Sequence, residues 1–271
     1  MYVHLHQNPE LPLQEVETAG EITGRLESFG YDVHHIGGGV VGILANGEGY
    51  TVLVRADIDG LPVTEATGLP YASTKTAVEA TGATVGVMHA CGHDVHITAG
   101  LGAAQLLAQA RDAWSGTYIA LFQPAEETAA GARAMVADGL VDRVPRPDVA
   151  FAQHVLAAPA SGEVATAAGP VLSAGDSIRI TVFGKGSHGA MPHLGVDPVV
   201  LAASIVMRLQ VIVAREVSPS EFGVVTVGSL QAGSKSNIIP DRAVLLVNVR
   251  TYDMGGHDST LEMARAIAAK L

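Results

Sequence analysis

The chain has a single cysteine, few aromatic residues and no recognisable leader at its start. Cys91 is the only cysteine among 271 residues, which excludes an intrachain disulfide and leaves the cytoplasm as the expected location. Aromatic residues make up 4% of the sequence, while glycine occurs 31 times, which favours close packing of helices on a sheet. No uninterrupted apolar run approaches the ~20 residues that a membrane-spanning helix needs, so no membrane partner is expected.

Basic residues are also scarce. The chain has 16 Lys and Arg against 27 Asp and Glu, a formal net charge of −11. Such a balance repels phosphate groups, so nucleic acid and anionic membranes are not expected as partners. The 48% hydrophobic and 16% charged content are typical of a globular protein, and the length suffices for one large domain or two.

Residue types that bind metals are concentrated between His89 and His96. Within this segment Cys91 and His93 are separated by one glycine. In an extended or tightly turned backbone such residues point the same way, and thiolate and imidazole suit zinc and neighbouring divalent metals. A lone cysteine is also commonly a small buried apolar residue. The metal interpretation therefore depends on carboxylates and histidines elsewhere in the chain.

Further residues of these types follow predicted buried strands. Open α/β sheets place their chemistry at the carboxyl ends of strands, so we expect these side chains to gather at one edge of a sheet. If either acidic pair, Asp57 with Asp59 or Glu126 with Glu127, is considered alone, a solvated turn on the surface is the alternative. The set comprises Asp57, Glu126, Glu127 and His154, which follow or end predicted strands at residues 50–56, 116–122 and 147–155.

A different pattern begins after a segment rich in small residues. Residues 176–183 alternate polar and apolar side chains, which is typical of a half-exposed strand. A helix, two strands and a second helix follow at residues 197–217, 223–230, 243–251 and 261–270. The order β-α-β-β-α is one strand short of a ferredoxin-like domain. We therefore predict an α/β domain over residues 1–171 and an incomplete α+β domain over residues 172–271.

These motifs together resemble the aminoacylase/carboxypeptidase superfamily of metallopeptidases, metallopeptidase family twenty. Within it they resemble the branch of N-acyl-amino-acid amidohydrolases that includes hippurate hydrolases. The resemblance implies a catalytic domain with a mostly parallel mixed sheet flanked by helices, and an inserted ferredoxin-like lid domain that forms a homodimer. The matching segments run in family order at residues 6–11, 55–62, 88–94, 122–127, 153–155, 184–193 and 237–240.

The resemblance also implies roles for single residues. The positions that match metal ligands are Cys91, His93, Glu127 and His154. Glu126 matches the general base, Asp57 the carboxylate that supports the site, and His188 the lid histidine presented to the partner's metal site. Asn237 and Arg250 resemble a substrate-binding pair. The alternatives are a capped turn and a surface arginine for this pair, and a solvated loop histidine for His188.

The activity that the resemblance implies is hydrolysis of the amide bond of a small N-acyl amino acid. Two divalent ions would assist, and nitrogen, oxygen and sulfur donors suit zinc, manganese, cobalt or nickel alike. A dipeptidase or carboxypeptidase of the same superfamily is one alternative. Family members continue past Leu271 with a last lid strand and a final metal-binding histidine, so we expect a fragment whose second metal site is incomplete. A truncated, non-catalytic metal-binding or dimerisation module is the other alternative.

Overall fold

A break near Ser161 divides the chain into two units, Met1–Ser161 and Gly162–Leu271. The computed structural model describes residues 1–157 and 160–252. The helix predicted over residues 261–270 lies outside the described residues.

The first unit is a five-stranded mixed sheet covered by helices, which confirms the predicted α/β architecture. The strands of this sheet are β1 (Asp32–Ile36), β2 (Gly39–Asn46), β3 (Thr51–Asp57), β6 (Gly116–Gln123) and β7 (Val149–Ala152). A separate small hairpin consists of β4 (Thr76–Val78) and β5 (Thr84–Gly86). The helices of the unit are α1 (Tyr2–Gln7), α2 (Val16–Ser28), α3 (His93–Gln109), α4 (Gly131–Ala137) and α5 (Leu140–Arg143).

Strand pairing brings three carboxyl ends to one edge of this sheet. The order is β1-β2-β6-β3-β7, in which β2 is antiparallel to both neighbours and β3 is parallel to β6 and β7. Asp57 lies opposite Gln123, and Arg55 lies opposite Ala152. The segments that leave β3, β6 and β7 therefore begin side by side.

The core lies on both faces of the sheet because successive side chains of a strand point to opposite sides. In β6, Tyr118 and Phe122 face a cluster that includes residues of α2 and α3, whereas Ile119 and Leu121 face a second cluster that includes Met135 of α4. The buried positions of α3 recur at helical spacing and include Ile97, Gly100, Leu101 and Ala104. Small residues at this spacing let α3 lie close to the sheet.

The first helix was not expected from the sequence, which predicts a polar turn over residues 5–11. Instead α1 covers Tyr2–Gln7, and its buried His6 bonds through Nδ1 to Asp94 at the start of α3, at 2.7 Å. A six-residue helix is marginal by propensity alone, so tertiary contacts such as this bond and the burial of Leu5 in the core are needed to stabilise it.

In its described residues, 162–252, the second unit is an antiparallel sheet with one long helix packed against it. It contains β8 (Ala174–Phe183), β9 (Ser187–His188), α6 (Pro198–Val211), β10 (Gly223–Ala232), β11 (Ile238–Ile239) and β12 (Arg242–Thr251). The main sheet has the order β10-β12-β8, and β9 pairs with β11 separately. Asp197 caps α6 by accepting the Val199 N–H at 2.8 Å, as its Asp-Pro start predicts.

One described helix meets the length and composition of a membrane span, although no uninterrupted apolar run within it approaches ~20 residues. It consists of α6 and the π-helical turn that continues it, over the 19 residues Pro198–Glu216. Arg208 interrupts its apolar sequence. Ala202, Ile205 and Leu209 on one face are buried in the cluster shared with the main sheet, whereas Val200 and Met207 are exposed.

Gly100 and Gly102 provide a matched test of how α3 packs. A Cβ at Gly100 would lie 3.2 Å from Cε1 of the buried Phe122, whereas a Cβ at Gly102 would meet nothing within 4 Å. We expect Gly102→Ala to raise the free energy of unfolding by ~0.5–1 kcal/mol through helix propensity. Gly100→Ala should lower it by ~1–3 kcal/mol through overpacking. Denaturant unfolding measures both changes, and equal effects would contradict the close contact between α3 and β6.

Candidate metal centre

The turn that opens α3 explains why glycine separates Cys91 from His93. Gly92 has φ +84°, in the left-handed region that glycine adopts most readily, and a Cβ there would lie 2.3 Å from Cγ2 of Val155. Any other residue would combine backbone strain with a collision. The glycine therefore allows a half-buried thiol and a buried imidazole to stand at the same helix start.

His93 turns its Nε2 toward a group of carboxylates. Its Nδ1–H donates to the carbonyl oxygen of Asp59 at 2.9 Å and lies 3.1 Å from Oδ1 of the same residue. A carbonyl oxygen only accepts, so in the neutral ring Nε2 carries the lone pair. This buried Nε2 has no hydrogen-bond partner among the described residues. Around it lie Oδ2 of Asp57 at 3.7 Å, Oε1 of Glu127 at 3.8 Å and Oε2 of Glu126 at 3.9 Å.

The two adjacent glutamates that follow β6 have different surroundings. The Glu127 N–H donates to Oδ2 of Asp59 at 3.0 Å, and its buried Oε1 has no hydrogen-bond partner in the described chain. The side chain of Glu126 is 40% exposed, against 20% for Glu127. Behind them Ala125, at φ +46°, donates its N–H to the buried Glu15 at 2.7 Å. Glu127 is thus fixed toward His93, while Glu126 remains accessible from outside.

His154 faces the thiol of Cys91. Its Nδ1–H donates to the carbonyl oxygen of Val155 at 2.7 Å, so Nε2 is the nitrogen that lies 3.4 Å from Sγ of Cys91. Like His93, this ring offers its Nε2 lone pair, because a backbone carbonyl holds the other nitrogen in its protonated form.

Charge in this centre is distributed unevenly. Burial would raise the pKa of Asp57, but the hydrogen bond from His96 at 2.5 Å and the neighbouring His93 and Arg55 lower that pKa to about 2. Burial also works against a charged His93, yet its bond to Asp59 and the charge of Asp57 raise its pKa overall. Asp57 is therefore a fixed negative charge at neutral pH.

The pKa values of Glu127 and Cys91 are raised. Burial raises the pKa of Glu127, His93 opposes this change, and Glu126 adds to it. Burial, followed by the charge of Glu127, raises the pKa of the Cys91 thiol to about 11. A cation bound next to these groups would lower both pKa values.

The donor atoms fit a divalent metal ion. Cys91, His93 and His154 each offer one possible ligand atom, and these three atoms lie within 4.8 Å of one another. His93, Glu126 and Glu127 form a second such group. The unpartnered atoms of His93 and Glu127 have the chemistry of ligands for zinc and neighbouring metals. The structure thus brings together the four residues predicted as ligands and also Glu126 and Asp57.

The remaining predicted residues belong to the second unit. His188 in β9 pairs with Ile238 of β11, and the next residue, Gly189, donates its N–H to the carbonyl oxygen of Asn237 at 2.8 Å. Arg242, which follows β11, is the first residue of β12. Arg250 lies about 26 Å farther along the same strand. Within this unit His188 and Asn237 are thus brought together, and Arg250 lies at the other end of the main sheet, where its Nε–H donates to Asn248 at 2.9 Å.

Three residues that were not predicted as site residues hold the candidate metal-binding side chains in place. Asp59 holds His93 and Glu127, His96 holds Asp57, and Glu15 holds the turn before Glu126. An Asp-x-Asp pair at a strand end is a local signal for Asp59. Glu15 is 110 residues from Ala125, so no local pattern indicates its contact.

Comparison with known proteins identifies the family. The sequence profile of peptidase family M20/M25/M40 matches residues 53–265. The chain belongs to this family. This result confirms the resemblance to metallopeptidase family twenty.

Two curated relatives and one solved structure show how far the similarity of this M20 chain extends. It is 41% identical to N-acetyl-L-cysteine deacetylase of Bacillus subtilis and 39% identical to hippurate hydrolase of Campylobacter jejuni. Each alignment covers 92% of this chain but 58% and 63% of the relatives, so the chain spans about three fifths of their length. The crystal structure of a Bacillus subtilis dinuclear metal-binding peptidase of the M20 family superposes with a TM-score of 0.71 at 33% identity, covering 100% of this chain and 69% of that one.

Asp59 is expected to control metal affinity without binding the metal. Its two oxygens accept from His93 and from the Glu127 N–H, and the asparagine of Asp59→Asn offers only one acceptor oxygen. We expect zinc affinity to fall 10–100-fold, measured by competition with a chromophoric chelator. The control is Asp148→Asn, because Asp148 accepts the Thr51 N–H at 2.8 Å at the opposite end of β3. Equal affinities of the two variants would contradict this role.

Glu15 is expected to make stability depend on pH. Burial raises its pKa from 4.5 to about 7, although hydrogen bonds from backbone N–H groups, including that of Ala125, oppose the change. Since the pKa of Glu15 is higher in the folded than in the unfolded chain, the protonated side chain stabilises the fold. This contribution is complete below pH 4.5 and is lost as pH rises through 7.

The matching variant is Glu15→Gln, which keeps an acceptor for Ala125 and has no proton to lose. Relative to the unaltered chain it should gain ~1–3 kcal/mol in free energy of unfolding between about pH 5 and pH 8. Urea unfolding at both pH values measures this gain, with the exposed Glu27→Gln as control. A difference that does not change with pH would show that Glu15 is not the titrating group.

Proposed function

We propose that this chain is the metal-binding part of a hydrolase that cleaves the amide bond of N-acyl amino acids. The observation that carries the proposal is the pair of buried, unpartnered donor atoms on His93 and Glu127, next to the accessible Glu126. Support also comes from the family and from relatives named as an N-acetyl-L-cysteine deacetylase and a hippurate hydrolase. The products would be a carboxylic acid and a free amino acid.

The proposed ligands of the divalent ions are Cys91, His93, Glu127 and His154. The relative described above as dinuclear supports two ions, of which zinc, manganese, cobalt and nickel all suit the donors. When bound, such ions lower the pKa of water and polarise an amide carbonyl group. Asp59 and the carbonyl oxygen of Val155 would keep the two imidazole rings oriented toward them.

Glu126 is the proposed general base and acid. It follows β6 directly beside Glu127, and its carboxylate lies 3.9 Å from Nε2 of His93 while remaining 40% exposed. It is therefore near the proposed ligands and is open to substrate and solvent. In this role it takes a proton from the attacking water and delivers it to the nitrogen of the leaving amine. Asp57, held in its ionised form, supports the site from beneath.

Substrate binding is assigned to the second unit. His188 and Asn237 lie together at the β9–β11 pair, and we propose that they contact the substrate, with His188 serving the partner's site in a homodimer. Arg250 is the proposed partner of the substrate carboxylate, because a guanidinium group can bind a carboxylate through two hydrogen bonds. Since Arg250 lies at the other end of β12, it and the His188–Asn237 pair of the same chain would serve different sites of the homodimer. A dipeptidase or carboxypeptidase would use the same centre and differ in this binding region.

The direct test compares Glu126→Gln with Glu127→Gln. We expect Glu126→Gln to keep its metal and lose ~10²–10⁴-fold in kcat, since the amide preserves shape but cannot accept a proton. The matched Glu127→Gln should lose metal affinity as well. Turnover of hippurate, N-acetyl amino acids and dipeptides is measured together with bound metal, with zinc, manganese, cobalt or nickel added.

The outcomes separate the alternatives. Faster turnover of dipeptides than of acyl amino acids would favour the peptidase. Metal binding without turnover of any of these substrates by the unaltered chain would favour a non-catalytic module. Full activity of Glu126→Gln would contradict the proposed roles of the two glutamates.

A further inference from the structure

His96 lies in the same buried centre, and both of its ring nitrogens already have protein partners. It is fully buried in the first turn of α3, three residues after His93. Its Nδ1 is 2.5 Å from Oδ1 of Asp57, and its Nε2 is 2.9 Å from the backbone nitrogen of Val155. A backbone N–H only donates, so Nε2 accepts a hydrogen bond from Val155. Nδ1 therefore carries the proton and donates a hydrogen bond to the carboxylate of Asp57.

These two bonds connect segments that are distant in the sequence. Asp57 is the last residue of β3, whereas Val155 follows His154 in a stretch, residues 153–156, that belongs to no strand or helix. Sheet pairing therefore ends before it reaches His154. The ring of His96 also lies against the ring of His154, with centroids 4.7 Å apart and planes inclined by 70°.

The contacts of Val155 show how its position reaches the metal centre. Its carbonyl oxygen accepts from Nδ1 of His154, its N–H is held by His96, and its side chain occupies the space left by Gly92. Displacement of Val155 would therefore move the His154 ring away from Sγ of Cys91, now 3.4 Å from Nε2. The position of His154 thus depends on a bond that His96 supplies.

We propose that His96 is a positioning residue that ties the His154 segment to the end of β3, and that it does not bind metal itself. This inference rests on the proposed metal-dependent function. It predicts that the acceptor at Nε2 matters for metal affinity although that nitrogen never touches the ion.

Amide variants separate the two edges of the ring. The amide nitrogen of His96→Asn lies near the position of Nδ1, so it keeps a donor for Asp57 and loses the acceptor for Val155. The amide oxygen of His96→Gln reaches toward the position of Nε2, so it keeps the acceptor. His96→Leu keeps neither, and the half-exposed His34→Leu on β1 is the control.

Affinity for cobalt(II) and the visible spectrum of the cobalt complex are the readouts on the 271-residue chain. We expect His96→Leu and His96→Asn to bind cobalt 10–100-fold more weakly with an altered spectrum, and His96→Gln to restore much of the affinity. Equal affinity and identical spectra for all three variants would overturn the inference. So would an Asn variant that performs as well as the unaltered chain while the Gln variant fails.

Nitrogen NMR of the unaltered, metal-free chain provides a test that does not depend on the variants folding. We expect the Nδ1–H form of His96, with a Val155 amide proton protected from exchange. A protonated Nε2 in the metal-free chain, or coordination of cobalt by that nitrogen once cobalt is added, would overturn the inference. Failure of the unaltered chain to bind cobalt would instead contradict the proposed function, and the NMR result would still decide the role of His96.

Discussion

Parallel pairing of β3 with β6 on one side and β7 on the other decides where the chemistry of the first unit lies. Because Asp57 is opposite Gln123 and Arg55 is opposite Ala152, the segments that follow these strands leave from one edge. A one-residue slip of β3 would turn Asp57 to the other face of the sheet. The acidic turn after β6, the His154 segment and the start of α3 all meet on the position that this register fixes.

Electrostatics explains why so many polar groups are buried together at this edge. Each of the two imidazoles proposed to bind metal donates its Nδ1–H to a backbone carbonyl, so that Nε2 carries the lone pair of the neutral ring. The carboxyl groups of Asp57 and Asp59 are fully buried, with Arg55 bonded to Asp57 and His93 bonded to Asp59. A divalent cation would compensate negative charge in this centre, so metal binding and stability of the folded unit should be coupled.

Local patterns predicted the main strands, the start of α6 and the gathering of candidate donor residues at one sheet edge, because buried strands, a capped helix start and clustered donor residues can be recognised in contiguous sequence. They did not predict α1, whose stability comes from the bond between His6 and Asp94. They also gave no role to Glu15 or His96, since these residues act through partners 110 and 59 positions away that only the fold brings near. Local pattern therefore indicates which residues are candidates for the chemistry, whereas the residues that orient them can be identified only from tertiary contacts.

The central claim is that Nε2 of His93 and Oε1 of Glu127, both buried and unpartnered, are turned toward a common metal ion. Anomalous diffraction from crystals of this chain grown with zinc tests it most directly. We predict a peak within about 2.0–2.2 Å of both atoms. A saturated crystal with zinc elsewhere, and with these two atoms hydrogen-bonded to other protein groups, would contradict the account.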